Sequence, residues 1–400
     1  MSAENITSTL LVSIATYAGR PRLLIFKEMR IKDIVTYPNS LSRSRKKNSA
    51  SKQKQNVQPI LSATTERIRK DFMALETTIT GAYPKIGDSA EEQKLRRALH
   101  QFDKVEISEE DLEQIKNDVT EEVIREQIGS GIDIITDGLI RWDDPLTYLA
   151  RRISGFQIQG LIRYFDTNTF YRQPHVENRL EFVKPIFVSD FQFAHEKSSK
   201  PVKAVITGPY TIAKLSKNHF YREFRQLVFD LAHLIHQEAQ ALEEAGCKYI
   251  QFDEPAILNF KEDLPLFLKA YEIVTVQLSK SEKILNMNFG SLEGIYPKIL
   301  DVEADRFGFD LSKGHKNWKV LKSAPFTKKM MAGVVDARNT KMESETELAQ
   351  IIHELGEYIN LEQIWLSTNY SLEFLPRSNA RKKMELLASV AKPLKGASVS

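Results

Sequence analysis

Short apolar runs of β-forming residues alternate with longer helical patterns from Leu75 almost to the end of the 400-residue chain. Alternation of this kind predicts a parallel sheet whose strands are joined by helices. Eight strands are predicted, at residues 75–82, 132–138, 201–209, 247–255, 283–290, 304–310, 330–336 and 363–369. Eight strand and helix repeats predict an α/β fold of the (β/α)8 TIM-barrel type.

A doubly wound open sheet is the alternative arrangement of the same elements. Its phosphate-binding signature, Gly-x-Gly-x-x-Gly after the first strand, is missing from the sequence, and this favours the barrel. Between the first two strands, Ser108 and the three acidic residues after it predict the start of a helix. Residues 156–190 are rich in aromatic residues and arginine and break the alternation. We interpret them as a hairpin-like insertion or lid after the second strand–helix unit.

The positive charge of the chain is concentrated at its start. Residues 1–75 contain 14 Lys and Arg against 5 Asp and Glu, whereas the remaining residues contain 42 against 48. The stretch 42–54 has almost no apolar residue, so residues 1–73 are predicted to form a basic, mostly disordered extension. Patterning typical of folded sequence begins directly after Met73, which makes Met73 a candidate translation start. The barrel is then predicted at residues 74–393, followed by a short tail at 394–400.

The composition narrows the class of protein further. No run approaches the roughly 18 apolar residues that a membrane-spanning helix needs. The basic stretch contains no interleaved aromatic residues, so we expect a solvated tail rather than a nucleic-acid contact. The single cysteine, Cys247, excludes an internal disulfide, and a cytoplasmic protein is expected.

Polar residues follow most of the predicted strands at the point where each strand ends. Barrel enzymes build their active sites at the carboxyl ends of the strands, so these residues predict a polar pocket. The strand-end residues are Gly81, Asp137, Thr207, Asp253 with Glu254, Asn288, Asp310, Asp336 and Asn369. Cations nearby in sequence are Arg141, Lys313 and Arg338, with Arg163 and Arg172 on the insertion. For each of them the alternative is an ordinary salt-bridged loop residue, or a strand end that caps the next loop.

Three short motifs occur in order at these strand ends: Thr-Gly-Ala-Tyr-Pro at 80–84, Thr-Gly-Pro at 207–209 and Asp-Glu-Pro-Ala at 253–256. Together they make the chain resemble, over roughly residues 75–393, the catalytic barrel of cobalamin-independent methionine synthase. The resemblance implies transfer of a methyl group from a folate to the thiol of homocysteine, which a zinc ion holds. The implied zinc ligands are a His-x-Cys pair, a Glu and a Cys at strand ends. The matching positions here hold Asn286, Asn288, Asp310 and Tyr370.

The soft zinc ligands of that family are therefore replaced in this sequence. Amides and a phenol do not substitute for thiolate or imidazole donors, so neither zinc nor another cofactor is predicted. Other implied positions differ as well: an acidic residue falls on Leu139, a proton-donating histidine on Arg338 and a tryptophan beside the folate on Leu215. Asp253 matches the family residue that the resemblance implies to bind the amino group of the substrate.

We therefore predict a divergent member of this superfamily that acts, without zinc, on a small anionic or folate-like molecule. A non-catalytic barrel that binds a small molecule or regulates another protein is the alternative. The predicted catalytic residues are Asp253, Glu254 and Arg338. The predicted substrate-binding residues are Gly81, Asp137, Arg141, Thr207, Asn288, Asp310, Asp336 and Asn369.

Overall fold

The computed structural model describes residues 12–17, 20–25, 75–165, 167 and 169–392. The chain divides into two compact units, Met1–Leu61 and Ser62–Ser400. In the first unit, β1 (Val12–Tyr17) and β2 (Arg20–Ile25) pair in antiparallel orientation. The rest of the predicted extension at 1–73 and the predicted tail at 394–400 lie outside the described residues.

The strands of the second unit form a seven-stranded parallel sheet and a three-stranded sheet. In chain order they are β3 (Glu76–Thr77), β4 (Ser154–Arg163), β5 (Phe170–Glu181), β6 (Lys203–Thr207), β7 (Lys217–Asn218), β8 (Tyr249–Asp253), β9 (Glu282–Met287), β10 (Arg306–Asp310), β11 (Lys329–Val335) and β12 (Ile364–Thr368). The order of the parallel sheet is β3-β12-β11-β10-β9-β8-β6. Because sequence neighbours are mostly sheet neighbours, the strand ends follow one another along a single edge.

The parallel sheet is curled, and one short segment reaches both of its edges. Thr78 pairs with Ile134 beside the β3 edge, and Ile135 pairs with Val202 beside the β6 edge. The Ile134 amide donates to Thr77 O at 2.9 Å. The second predicted strand, at 132–138, is present only as these two isolated bridges. At the level of an α/β fold built on a curled parallel sheet, the predicted fold class is confirmed.

Helices join most of the strands of the parallel sheet. They are α1 (Lys94–Asp103), α2 (Glu109–Gly129), α3 (Thr147–Ala150), α4 (Val188–Lys197), α5 (Pro209–Leu215), α6 (Phe224–Glu244), α7 (Leu264–Thr275), α8 (Asn317–Leu321), α9 (Glu345–Gly356) and α10 (Arg377–Ala391). The start of α2 is the predicted one: Ser108 Oγ accepts from the Asp111 amide, and Asp111 accepts from the Ser108 amide. In the part of the chain that the structure describes, no helix is long and apolar enough to cross a membrane.

The segment predicted as an insertion contains the antiparallel pair of β4 and β5, and β7 pairs with β5 in parallel. Along β5, Tyr171, Val176 and Leu180 are buried, whereas the residues beside them are half-buried or exposed. This alternation is typical of a strand with one face on the core and the other toward solvent. At the tip of the pair, Tyr164 is buried against Phe289, with ring centroids 5.9 Å apart.

Candidate functional site

Asp253 ends β8 and carries a carboxylate that is held by two side-chain amides. Its Oδ1 accepts from Gln251 Nε2 and from Asn286 Nδ2, each at 2.7 Å. Burial raises the pKa of Asp253 to about 6, although these two hydrogen bonds and the charge of Lys203 act in the opposite direction. Within the described ranges, no group donates a hydrogen bond to the second carboxylate oxygen, Oδ2. Asp253 is thus a positioned carboxylate that changes charge close to neutral pH.

A buried lysine lies next to this carboxylate inside the sheet. Lys203 Nζ donates to Gln251 Oε1 at 2.6 Å and to Ile79 O at 2.9 Å. Burial lowers the pKa of Lys203 to about 7, against the attraction of Asp253. Gln251 Nε2 also donates to Thr80 O at 2.6 Å, so the amide links the lysine, the carboxylate and the first motif. The hydrogen-bond network through Gln251 and Lys203 therefore fixes the orientation of Asp253.

Glu254, the next residue, is fully buried and points at the start of α5. Its carboxylate accepts from the Tyr210 amide at 3.0 Å, the Thr211 amide at 2.7 Å and Thr211 Oγ1 at 2.6 Å. Burial raises the pKa of Glu254 to about 7, and the bonds from Thr211 and Tyr210 lower it. At Gly208 an added Cβ would lie 2.3 Å from the Glu254 carboxyl carbon, so this position requires glycine. Glu254 therefore ties two of the three motifs together.

Asp253 lines a small cavity at the carboxyl ends of the strands, which we call the Asp253 cavity. Its volume is about 30 Å³, which is roughly the space of one water molecule. Its charged, amide and aliphatic hydroxyl lining residues are Lys85, Asp144, Thr207, Asp253, Asn288, Ser371 and Glu373. Asn288 Oδ1 is buried and has no hydrogen-bond partner among the described residues. An unpaired buried acceptor is costly, so its position at this cavity indicates a place where a ligand donates a hydrogen bond.

Aromatic side chains cover the cavity. Tyr164 lies edge-on to Phe289, Phe165 stacks on Phe289 at 5.9 Å, and the Phe289 and Tyr370 centroids are 4.1 Å apart. Phe165, Phe289 and the lining residue Leu139 adopt positive φ values of 46°, 63° and 51°. Non-glycine residues in this region are strained, and such residues cluster at functional sites. The aromatic cover is thus formed by packed rings from the tip of the β4 and β5 pair and from the ends of β9 and β12. Two of these aromatic residues, Phe165 and Phe289, have a strained backbone.

A second polar cluster is formed by the predicted residues of β10, β11 and β12. Asn369 Nδ2 donates to Asp310 Oδ2 and to Asp336 Oδ1, each at 3.0 Å. Arg338, which is 47% exposed, lies 3.6 Å from Asp310 and 3.4 Å from Asp336. His315 Nε2 is 3.7 Å from Asp310 Oδ2. These side chains form hydrogen bonds and ion pairs with one another, and they are not among the described residues that line the Asp253 cavity.

Asp137 and Arg141 belong to a third group. Burial, together with the charge of Asp190, raises the pKa of Asp137 to about 6. Arg141 lies 3.5 Å from both Asp190 and Glu113, so its guanidinium is engaged by carboxylates of the helices. At Gly81 an added Cβ would make ordinary contacts of 3.5 Å or more.

Of the residues predicted from the sequence, the structure brings Asp253, Thr207 and Asn288 together at one cavity. It places Asp310, Asp336, Arg338 and Asn369 in the second cluster. Lys85, Asp144, Tyr164 and Glu373 also line the cavity, and the sequence reasoning missed them. For two of them the sequence offers a weak signal, which is their position. Lys85 directly follows the first motif, and Glu373 lies just beyond the last strand.

The four positions that match the implied zinc ligands present oxygen and amide groups. Asn286 Nδ2 is committed to Asp253. Asp310 accepts from Ser312 and Asn369. Tyr370 is buried within the aromatic cover, and burial raises its pKa well above the usual value. Among these four, Asn288 offers a fully buried oxygen, Oδ1, that has no hydrogen-bond partner in the described part of the chain.

The comparisons with known proteins agree on one family. The family described as "Cobalamin-independent synthase, Catalytic domain" matches residues 75–393. A methionine synthase of Saccharolobus solfataricus is 35% identical over 312 residues, which cover 78% of this chain and 92% of that protein. One of Sulfurisphaera tokodaii is 32% identical over 311 residues, with 78% and 89% covered.

Solved structures show the same fold. A B12-independent methionine synthase from Shewanella sp. W3-18-1, in complex with selenomethionine, superimposes with a TM-score of 0.69 at 21% identity. The match covers 80% of this chain and 97% of that one. A putative vitamin-B12-independent methionine synthase from Listeria monocytogenes has a TM-score of 0.63 at 16% identity, with 80% and 98% covered. The chain belongs to the cobalamin-independent methionine synthase family and contains its catalytic domain.

Proposed function

We propose that this chain transfers a methyl group between a folate-like donor and a small acceptor at the Asp253 cavity, without a zinc ion at the family positions. The observation that supports this proposal is which atoms of Asp253 and Asn286 already have hydrogen-bond partners. Asp253 lines the cavity, and its Oδ2 accepts no hydrogen bond from the described residues, whereas Asn286 is already hydrogen-bonded to Asp253. The methyltransferase-type activity follows the family, and the small substrate fits a relative of the same fold that binds selenomethionine.

The donor set at the family zinc positions does not fit the ion. Zinc holds a thiol as thiolate, and tight sites use sulfur or imidazole donors. Two amides, a phenol and a carboxylate that is engaged by Ser312 and Asn369 supply neither. No step of the proposed function therefore passes through zinc, and substrate orientation rests on this chain's own side chains.

In this proposal Asp253 accepts a hydrogen bond from the substrate's cationic group, and Asn288 Oδ1 accepts a second one. The charge of Asp253 favours the cation because the surroundings are buried. Glu254 acts as a positioning residue, since its oxygens are occupied by Tyr210 and Thr211. Arg338 lies in the second cluster, so we assign it no contact with the reacting groups.

Substrate entry requires the aromatic cover to move. A cavity of about 30 Å³ does not admit an amino acid or a pterin ring. Tyr164 and Phe165 lie at the tip of the β4 and β5 pair, so displacement of this tip opens the cavity without disturbing the parallel sheet. We propose that residues 156–190 act as a hairpin lid.

We also propose that the curled sheet closes into an eight-stranded barrel spanning residues 74–393. The bridges from Ile134 to Thr78 and from Ile135 to Val202 support closure, since they join one segment to both edges. The basic residues 1–73 and the tail 394–400 are proposed to lie outside that domain. We propose that the barrel binds a small molecule rather than a membrane or a nucleic acid.

The test is a single-turnover assay with methyl-labelled methyltetrahydrofolate and homocysteine, plus other small thiols and amines, in the presence of a chelator. We expect label transfer that survives chelation and falls roughly 10- to 100-fold in Asp253→Asn, the effect of losing one charge-assisted hydrogen bond. Asp336→Asn, in the second cluster, is the matched control and should retain transfer. Transfer that stops on chelation, returns with zinc and is abolished by Asp310→Asn contradicts the proposal, as does failure to bind the folate.

A further inference from the structure

Two imidazoles and a carboxylate meet where β5 runs beside β7. His175 Nδ1 and His219 Nε2 are 3.3 Å apart, and each lies 3.8 Å from Glu177 Oε1. We call these three residues the hairpin triad. Within the described ranges, this is the one group of three or more His, Cys, Asp or Glu side chains whose ligand atoms converge closely enough for a metal ion. The described residues that line the Asp253 cavity do not include them.

The backbone fixes the hairpin triad on one face of the small sheet. His175 and Glu177 are two residues apart on β5, so both point away from the side of the buried Val176 between them. His219 follows β7, and its amide donates to Val176 O at 3.0 Å, which continues the pairing of the two strands. The three ligand groups are therefore presented by two hydrogen-bonded strands rather than by separate loops.

The turn after His219 is also held in place. Asn218 Oδ1 accepts from the Tyr221 amide at 2.9 Å, and Asn218 Nδ2 donates to Tyr221 O at 2.7 Å. The Tyr221 hydroxyl donates to Asp230 of α6 at 2.7 Å and accepts from the Leu180 amide of β5 at 3.1 Å. Both strands that carry the hairpin triad are thus anchored to each other and to a long helix. Such support is what a metal site needs in order to keep its geometry.

The spacing of the hairpin triad matches the bond lengths of a transition metal. With separations of 3.3, 3.8 and 3.8 Å, the point equidistant from the three atoms lies about 2.1 Å from each. Bonds from zinc to imidazole nitrogen and to carboxylate oxygen are about 2.0–2.2 Å. Calcium prefers six to eight oxygen ligands at about 2.3–2.6 Å, so two nitrogen donors disfavour it. Imidazole is instead suited to zinc, copper, iron and nickel.

The hairpin triad is open to solvent. The side chains of His175, Glu177 and His219 are 16%, 33% and 39% exposed, so an ion enters directly from solvent. Three protein ligands leave room for water in the coordination sphere.

We propose that the hairpin triad binds one divalent transition-metal ion of the zinc class through His175 Nδ1, His219 Nε2 and Glu177 Oε1. The ion joins β5 of the hairpin to the segment that follows α5, so it ties the hairpin lid to the main body of the domain. This site is distinct from the four family zinc positions, and it does not rest on the proposed methyl transfer.

The experiment uses the full chain without an affinity tag, stripped with a chelator and then titrated with zinc chloride by calorimetry. We expect about one ion per chain and a higher melting temperature with zinc. Loss of a residue that only orients a metal ligand weakens binding about 10- to 100-fold, so His175→Ala and His219→Ala should each cost at least that much. His233→Ala is the matched control, because His233 is an exposed histidine on α6. Cobalt substitution should give visible absorption bands that both triad variants lose.

Two results would overturn the site. One is zinc binding by His175→Ala and His219→Ala that equals binding by His233→Ala. The other is zinc that the His175→Ala/His219→Ala double variant retains and Asp310→Asn loses, which moves the ion to the family positions. Urea unfolding in chelator establishes first that the variants are folded. If His175→Ala does not fold, the more exposed His219 still decides the question.

Discussion

Replacing Asp253 by asparagine removes one charge and leaves the shape of the side chain nearly intact. Asp253 Oδ1 accepts from Gln251 and Asn286, and an asparagine oxygen accepts the same two hydrogen bonds. What changes is the cost of burying a carboxylate. Burial raises the pKa of Asp253 from 3.8 to about 6, a shift that corresponds to at most about 3 kcal/mol at roughly 1.4 kcal/mol per unit.

The sign of the pH dependence follows from the direction of this shift. The folded state keeps the Asp253 proton to a higher pH than the unfolded state does. The Asp253 contribution to the free energy of unfolding is therefore full below about pH 4, is lost between about pH 4 and 6, and stays lost above. Asp253→Asn is expected to be more stable than wild type at pH 8, by up to about 3 kcal/mol, and equal to it near pH 4.

Urea unfolding of both proteins at pH 4, 6 and 8 measures this difference, and Asp336→Asn is the matched control. Burial raises the pKa of Asp336, but hydrogen bonds from Arg338 and Asn369 outweigh it and hold the pKa below its usual range. Asp336→Asn should accordingly be less stable than wild type at pH 8, and the difference should shrink on acidification below about pH 4. If Asp253→Asn is destabilised by more than about 1 kcal/mol at pH 8, the Asp253 carboxylate is a structural group and the reasoning is refuted.

Other substitutions test the groups around the cavity. Burial lowers the pKa of Lys203 to about 7, so the Lys203 contribution to the free energy of unfolding should grow from about pH 7 to 10. Lys203→Met should remove this rise, as measured by urea midpoints across that pH range. A midpoint that rises with pH as steeply in Lys203→Met as in wild type would contradict the prediction. Glu254→Gln loses one acceptor for the three donors of Tyr210 and Thr211 and should cost about 1–3 kcal/mol. A wild-type midpoint would show that these bonds contribute nothing. Deletion of residues 1–73, which the sequence predicts not to pack, should shift the melting temperature by less than about 5 °C.

The strand ends of the parallel sheet are predictable because strands buried on both faces are continuous apolar runs. Thr207, Asp253 and Asn288 each follow such a run, and they line the same cavity. Asp310, Asp336 and Asn369 follow equally apolar runs but bond to one another. Which strand ends share a cavity depends on side-chain direction at the last residue, and the sequence pattern does not contain that direction.

The residues that sequence reasoning missed reach the cavity through loops. Lys85 and Glu373 lie far apart in sequence and meet only after the sheet curls. No periodicity marks such positions. Lys203 is a different case, because a lysine inside an apolar strand is a visible signal of a polar interior. The short second strand was overestimated since Ile134 and Ile135 are buried by packing and make only isolated bridges.

The most informative single measurement combines zinc analysis with homocysteine binding in one protein, the untagged His175→Ala/His219→Ala double variant. Removing the hairpin triad leaves the four family positions as the zinc site under test. We expect less than about 0.1 zinc per chain, and homocysteine binding that chelator does not change and that adding Asp253→Asn weakens roughly 10- to 100-fold, because Asp253 binds the cationic group of the substrate. About one tightly held zinc per chain that adding Asp310→Asn releases, or homocysteine binding that Asp253→Asn leaves unchanged, would contradict the proposal.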